Sequence, residues 1–264
     1  MVDGFLLSLQ SDTLYGPSHF VGLAHYRAVL TDSRFQHALW NTLIYALSTI
    51  AVVVPLALGL ALLMRRALPG AGTIVRFCLL LPGITPPLVL AILFVLVFSG
   101  RYGLLNAATA RLGLPMVDWI QDPNAIKAAL TLQATWRWTG FVALCLFSAL
   151  QAIPREYYDI ARVEGAGPLG AFRLVTLPLL RRALLFVVMV LLLDAFVLFS
   201  GAYVLLGGSG GTSDAGLMVI SYAYQTAFRY GRFGTAAAMA YLAVPALLAL
   251  LVPLIAASAA RHRS

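Results

Sequence analysis

Long runs of apolar residues, separated by short polar segments, make up most of the chain. A hydrocarbon layer about 30 Å thick is crossed by roughly 20 residues of helix, because lipid offers no partner to an open backbone. Five runs reach that length, at 39–64, 74–98, 126–150, 183–206 and 236–259. They predict an all-α integral membrane fold with five transmembrane helices. Pro82-Gly83 and Pro86-Pro87 fall inside the second run and predict a kink or hinge bordering a cavity, or a static packing kink. Residues 39–264 read as the transmembrane domain, with 153–182 as a polar loop inside it. Residues 1–38 read as an extracytoplasmic lead with a short apolar stretch at 4–8 and a weakly amphipathic one at 22–30. A sixth, N-terminal span is expected upstream of that lead; a five-span protein is the other reading.

Composition narrows the class further. Of 264 residues, 61% are hydrophobic and only 11% charged, and the mean hydropathy is +0.89. Soluble domains carry about 25% charged residues, so this chain has too few polar side chains to clothe a soluble globule. A soluble enzyme, a disordered tail and a disulfide scaffold are excluded. Cys78 and Cys145 sit inside apolar runs and make no framework. The net charge of +8 would point to nucleic acid in a soluble protein, yet the basic residues gather at the ends of apolar runs, where they set topology. Arg65, Arg66, Arg76, Arg155, Arg162, Arg173, Arg181, Arg182, Arg261 and Arg263 fall on one side, on roughly 50 residues, against seven basic residues on roughly 95 on the other. The positive-inside rule then puts the N-terminus outside and the C-terminus in the cytoplasm. Met1–Gln10 has no basic region ahead of its apolar residues, so no cleavable signal is predicted.

The loop at 153–182 is predicted to lie on the cytoplasmic side. Pro154 opens a helix with Glu156 in its first turn, and Tyr157, Ile160 and Ala161 are expected on one face. Gly165 after Glu164 ends it, since glycine enters the left-handed region without a Cβ penalty. Pro168 opens a second short helix with Leu169, Phe172 and Val175 or Thr176 on one face, and Pro178 is expected to break it before span four. Two short amphipathic helices joined at a glycine form a projecting elbow suited to docking.

Asp159-Ile-Ala, three residues, Gly165, nine residues and Val175-Thr-Leu-Pro178 resemble the cytoplasmic EAA loop of permease subunits in binding-protein-dependent ABC importers. Asp159 stands where that pattern has glutamate, and Ile160 where it has its first alanine. Phe20-Val-Gly-Leu with Tyr26, Asn41-Thr42, Gly103-Leu-Leu-Asn106, Asp118-Trp119, Tyr203-Val-Leu, Tyr222 with Tyr224, and Gly234 with Ala236-Ala237 extend the likeness towards the carbohydrate-uptake, maltose-type branch. The resemblance implies a permease of the bacterial inner membrane that pairs with a second permease. It further implies an extracytoplasmic solute-binding protein that delivers a sugar-like solute, and an ABC ATPase dimer below. Tyr157, Asp159, Ala161, Glu164, Gly165, Phe172 and Pro178 would belong to the ATPase-coupling loop. ATP would be used by the partner ATPases, with no cofactor bound by this chain.

Other motifs carry less. Gly165-Ala-Gly167-Pro-Leu-Gly170 matches a dinucleotide fingerprint in letters but follows a helix instead of a strand. The single lysine, Lys127, has no P-loop around it, so energy from ATP must come from another polypeptide. His19, His25, His37 and His262 lack metal spacing and read as surface residues. No nucleophile set can be assembled at one membrane depth, and an enzyme reading has no visible carrier.

Polar groups within the spans supply candidates for a translocation path. Arg137 and Asp194 fall near the midpoints of spans three and four, where a charge costs at least roughly 2.5–3.5 kcal/mol unless it meets a partner or water. They are expected to face each other or the path; a pair that only keeps two helices in register is the plainer reading. Asn41, Tyr45, Gln133 and Tyr203 join them as path candidates, because sugars are held by hydrogen-bonding side chains and aromatic faces. Interhelical hydrogen bonds and interfacial belts account for the same residues. An ion-driven secondary transporter or channel is the alternative class, but Asp194 is its only intramembrane acid and no internal repeat is evident.

Overall fold

A computed structural model of the chain describes residues 2–12, 19–67, 72–100 and 102–259. The expectations placed on the Arg66 side chain, Arg261, His262 and Arg263 lie outside the described residues. In chain order the helices are α1 (Val2–Ser8), α2 (Ala24–Thr31), α3 (Ser33–Ala67), α4 (Gly72–Ile84), α5 (Pro87–Val97), α6 (Leu104–Arg111), α7 (Pro123–Gln151), α8 (Arg155–Val163), α9 (Pro168–Ala171), α10 (Leu177–Val197), α11 (Ser200–Leu205), α12 (Val219–Tyr224) and α13 (Phe233–Ala259). Five-residue π turns follow α9, at Phe172–Thr176, and α12, at Gln225–Arg229. There is no strand among the described residues. Among the described residues, three helical stretches are long and apolar enough to cross a membrane unaided: Ser33–Arg65, Pro168–Val197 and Phe233–Ala256. The number reaches five when α4 with α5, and α7 with α8, each count as one bent span. Each of the five apolar runs therefore overlaps a membrane-crossing helix or one of the broken pairs.

One local break agrees with expectation, and two features depart from it. The second run divides at 85–86, where Pro86 sits in an extended conformation and Pro87 opens α5 from its first turn, as expected for residues that cannot donate to the ladder. The fourth run, predicted as one helix over 183–206, ends at Val197; Phe199 takes φ −124° and ψ −69°, and α11 restarts at Ser200. Uniform apolarity records that a segment sits in lipid and says nothing about its direction, so this break has no signature. Pro178, expected to end the second elbow helix, instead lies inside a helix continuous to Val197. The π turn explains it: the Leu177 N–H bonds to the Phe172 carbonyl five residues back. The ladder is re-registered just before a residue that has no N–H and needs room for its ring.

The fold divides into two compact units. One comprises Met1–Ser48, Pro86–Gln133 and Leu192–Leu251; the other comprises Thr49–Thr85, Ala134–Leu191 and Val252–Ser264. In the second unit, Val53, Ala57, Ala61 and Met64 recur along one stripe of α3. They are buried with Val142, Ala143, Leu146 and Leu150 of α7 and Leu180, Val187 and Leu191 of α10. Small residues on the stripe let backbones approach, which is how helices associate where lipid removes the usual hydrophobic drive. Helices α4 and α7 approach closely: a Cβ on Gly140 would lie 1.9 Å from the Leu79 carbonyl oxygen. The opposite stripe of α3, with Leu56 and Leu63, stays exposed, as an apolar face does when its solvent is hydrocarbon.

In the first unit the core joins Val29 of α2, Phe35 and Ala38 of α3, Leu217, Val219 and Tyr222 at and before α12, and Ala238, Met239 and Ala243 of α13. The lead segment is tied into this unit. Asp12 accepts from the backbone N–H groups of Gly234 (2.6 Å) and Thr235 (3.1 Å) and from the Thr235 hydroxyl. A carboxylate at that point satisfies orphan donors in the first turn of α13. His25, expected on the surface, is instead mostly buried here, bonding the Gln10 carbonyl through Nε2 at 2.8 Å and standing 3.1 Å from the Thr235 hydroxyl.

Candidate coupling elbow and polar interior

The elbow is built in the second unit. The helix of α7 turns by 70° into α8 at Pro154, which precedes the first residue of α8 with φ −58° and ψ 142°. Alpha-8 then stops as the sequence predicts. Gly165 has φ +83°, its N–H bonds the Arg162 carbonyl (3.0 Å), and the Ala166 N–H bonds the Ala161 carbonyl (2.8 Å). This pair of bonds is the Schellman arrangement, which satisfies the last carbonyls of a helix and needs a left-handed residue at that point.

One side of the elbow is anchored. Ile153, Ala161, Val175 and Leu180 are buried in the same cluster as the α3 stripe. The Tyr158 hydroxyl accepts from Arg65 Nη1 (2.8 Å), lies 3.1 Å from the Thr176 hydroxyl, and its ring sits 4.6 Å below the Arg65 guanidinium. The other side is free: Tyr157, Ile160, Val163, Leu169 and Leu174 are all exposed. The expected shared face of Tyr157, Ile160 and Ala161 is therefore split, with Ala161 turned inward and the other two outward. Tyr158 and Ala161, three apart, supply the inward pair, an equally valid helical spacing. Leu169 likewise points out while Val175 and Thr176 are buried, and Phe172 is half-buried. Asp159 is exposed and forms a 3.4 Å ion pair with Arg162 one turn on; Glu164 and Pro178 are exposed as well.

The path candidates divide between the units. In the second, the Arg137 guanidinium lies over the Trp138 ring at 4.9 Å. In the first, Asp194 is half-buried on α10 and Tyr45 is buried on α3. Asn41 is buried and donates to the carbonyls of Asp214 (2.8 Å) and Leu217 (3.3 Å), so its amide holds the loop before α12. Thr42 supports the same loop, accepting from the Val219 N–H at 3.2 Å. Gln133 is buried with its Nε2 lacking a hydrogen-bond partner, and its Oε1 stands 2.9 Å from where a Cβ on Gly201 would be. A buried amide donor without a partner is costly, and the Asn41 Oδ1 is likewise buried without one, so both amides could take a ligand's hydrogen bond. Tyr203 heads a chain of touching rings: it stacks on Phe199 at 4.9 Å and meets Tyr224 edge-on at 5.3 Å, and Tyr224 contacts Phe228 at 4.7 Å.

A further network lies at the head of α3 and has no sequence signal, since its members are far apart in the chain. Arg34 forks onto Asp214 with Nε and Nη2 at 2.7 and 2.8 Å, a bidentate geometry. Asp214 holds a left-handed backbone, φ 55°, that its short polar side chain tolerates. The Tyr222 hydroxyl donates to Asp32 at 2.6 Å, beneath the Arg34 guanidinium at 5.1 Å. Burial pushes the Tyr222 phenol above its ordinary value, and the hydrogen bond to Asp32 adds to the rise. No group of three or more potential metal ligands occurs among the described residues.

Comparison with known proteins places this architecture. An arabinooligosaccharide transport system permease of Bacillus subtilis is 32% identical over 90% of this chain and 76% of its own length. A trehalose/maltose transport system permease of Thermococcus litoralis is 30% identical over 90% of this chain and 80% of its own. Among solved structures, a bacterial ABC transporter involved in alginate import aligns over 97% of this chain and 87% of the matched one, with a TM-score of 0.81 at 19% identity, which establishes the shared fold. Residues 54–262, covering the anchored elbow and four of the five membrane-crossing regions, match the model of the binding-protein-dependent transport system inner membrane component, and the chain belongs to that family of multi-pass membrane permeases.

Proposed function

We propose that this chain is one of two permease subunits in an ATP-driven importer for a sugar or sugar oligomer. In this reading an extracytoplasmic binding protein delivers the solute, the N-terminal end of α3 lies outside, and the α8–α9 elbow rests on a pair of ATPase subunits that use the ATP. The sugar assignment is supported by the relatives, whose names specify arabinooligosaccharides and trehalose or maltose. The single observation that carries the coupling assignment is the two-sided elbow: Tyr157, Ile160 and Leu169 exposed, Ala161, Val175 and Tyr158 held against α3.

An exposed apolar row on a rigid, well-capped support transmits a push, because the load passes into α7 and α10 instead of bending a loop. Asp159 and Glu164 edge that row, Gly165 fixes the angle between its two helices, and Phe172 and Pro178 carry the join into α10. Gln133, Tyr203, Tyr45, Arg137 and Asp194 are the groups through which a solute would be passed, with Asn41 shaping the loop beside them. In the assembled transporter, Ile160→Asp with Leu169→Asp should abolish solute-stimulated ATP hydrolysis and uptake, and weaken co-purification of the ATPase, while membrane insertion continues. Undiminished uptake by that double variant would overturn the coupling role.

A further inference from the structure

We propose that the cavity between α2, the head of α3 and the π turn after α12 binds a neutral polyhydroxylated ring, one glycosyl unit, at a site separate from Gln133 and Tyr203. The cavity measures about 510 Å³, inside the range of about 300–1,000 Å³ typical of small-molecule sites. All the residues that line it belong to the first unit.

Its chemistry selects against ions. Asp32 brings a carboxylate, Arg34 and Arg232 bring guanidiniums, and each is already partly engaged: Asp32 by the Tyr222 hydroxyl, Arg34 by Asp214, and Arg232 by Asp12 at 3.5 Å. An anion would meet Asp32, and a cation would meet two arginines. A ring of hydroxyls suits both, because each hydroxyl donates to a carboxylate and accepts from a guanidinium or phenol. Tyr230, half exposed, adds a flat face for the C–H surface of such a ring.

Two features show that the site is incomplete by itself. Thr226 lines the cavity, is 3% exposed, and its hydroxyl has no hydrogen-bond partner; a buried orphan of this kind asks for a group that the chain does not supply. It also sits in the π turn Gln225–Arg229, a costly departure from α geometry that recurs at functional sites. Tyr224 and Phe228 join the aromatic chain, and Thr226 and Tyr230 line the cavity.

The choice of a sugar as ligand rests on the import reading; the existence of the cavity does not. Ala28, exposed on the rim, becomes a reporter as Ala28→Cys once Cys78→Ser and Cys145→Ser remove the natural thiols. Its rate of maleimide labelling is measured in the full transporter in lipid nanodiscs, with maltose, arabinotriose or lactose present. One of these sugars should slow labelling by about tenfold at a concentration tenfold above its Kd, and glucuronate and glucosamine should not. Adding Thr226→Val should abolish protection without altering the sugar-free rate.

Failure of every sugar to protect, protection that persists in Thr226→Val, or protection by the solute-binding protein without sugar would each overturn the proposal. Uptake by the unaltered transporter keeps the two readings apart. Uptake without protection removes the cavity site and leaves the import reading; protection without uptake of any sugar keeps the site and removes that reading.

Discussion

Gly165 offers the cleanest test of the elbow because its surroundings are empty. A Cβ built there meets nothing within 4 Å, while its φ of +83° is left-handed. Any effect of substitution must therefore arise from the backbone and not from a clash. An L-residue in that region costs about 1–2 kcal/mol, and asparagine less because its side chain bonds locally; a β-branched residue lies at the upper end of the range for strained conformations, about 1–3 kcal/mol. The expected order of function is Gly, then Asn, Ala and Val. If the turn relaxes to escape the strain, the bonds from Gly165 to Arg162 and from Ala166 to Ala161 are lost with it. Every 1.4 kcal/mol is tenfold in an equilibrium constant, so Gly165→Val, at about 3 kcal/mol, should shift the balance away from the docking geometry roughly a hundredfold, and Gly165→Asn should stay within a few fold of the original. The assay is solute-stimulated ATP hydrolysis and uptake by the assembled transporter in liposomes, normalised to inserted protein. Equal activity for Val and Asn would refute the conformational basis outright.

Three other substitutions probe the supports of the fold. Gly140→Ala places a methyl 1.9 Å from the Leu79 carbonyl. Because backbone cannot swing aside, it should cost at least the 1–3 kcal/mol typical of overpacking and lower the melting midpoint in detergent by several degrees; an unchanged midpoint would mean that α4 and α7 are not this close. Tyr158→Phe removes the hydroxyl that accepts from Arg65 and bonds Thr176. At a partly exposed position this should cost about 1 kcal/mol, read as faster proteolysis of 153–182, and equal cleavage rates would remove the anchor. Asp12→Ala strips the first turn of α13 of its carboxylate acceptor. It should destabilise the protein by about 1–2 kcal/mol, with Asp12→Asn recovering part of the loss; thermal curves that overlay would show that the lead segment contributes nothing.

Much of this fold was legible without coordinates. The five apolar runs mark where membrane-crossing helices lie, because burial in hydrocarbon forces both apolarity and a minimum length. Gly165 after α8 and the spacing from Asp159 to Pro178 announced a capped elbow, and the φ of +83° with its two bonds agrees. The partition of the elbow into inner and outer faces was less legible. Tyr157 and Tyr158 are adjacent and similar, and only the position of Arg65 and Thr176 decides that Tyr158 is the anchored one.

Sequence alone settled class, family and the location of the capping glycine, since composition, run length and backbone preference are properties of neighbouring residues. Tertiary structure alone decided that Arg34 grips Asp214, 180 residues away, that Asn41 serves a loop, that Thr226 is left with an unmatched hydroxyl beside a cavity, and that the fourth run breaks at Phe199. A polar side chain has no meaning in isolation: its role is set by which distant donor or acceptor the packing brings within 3 Å, and hydropathy carries no record of that meeting.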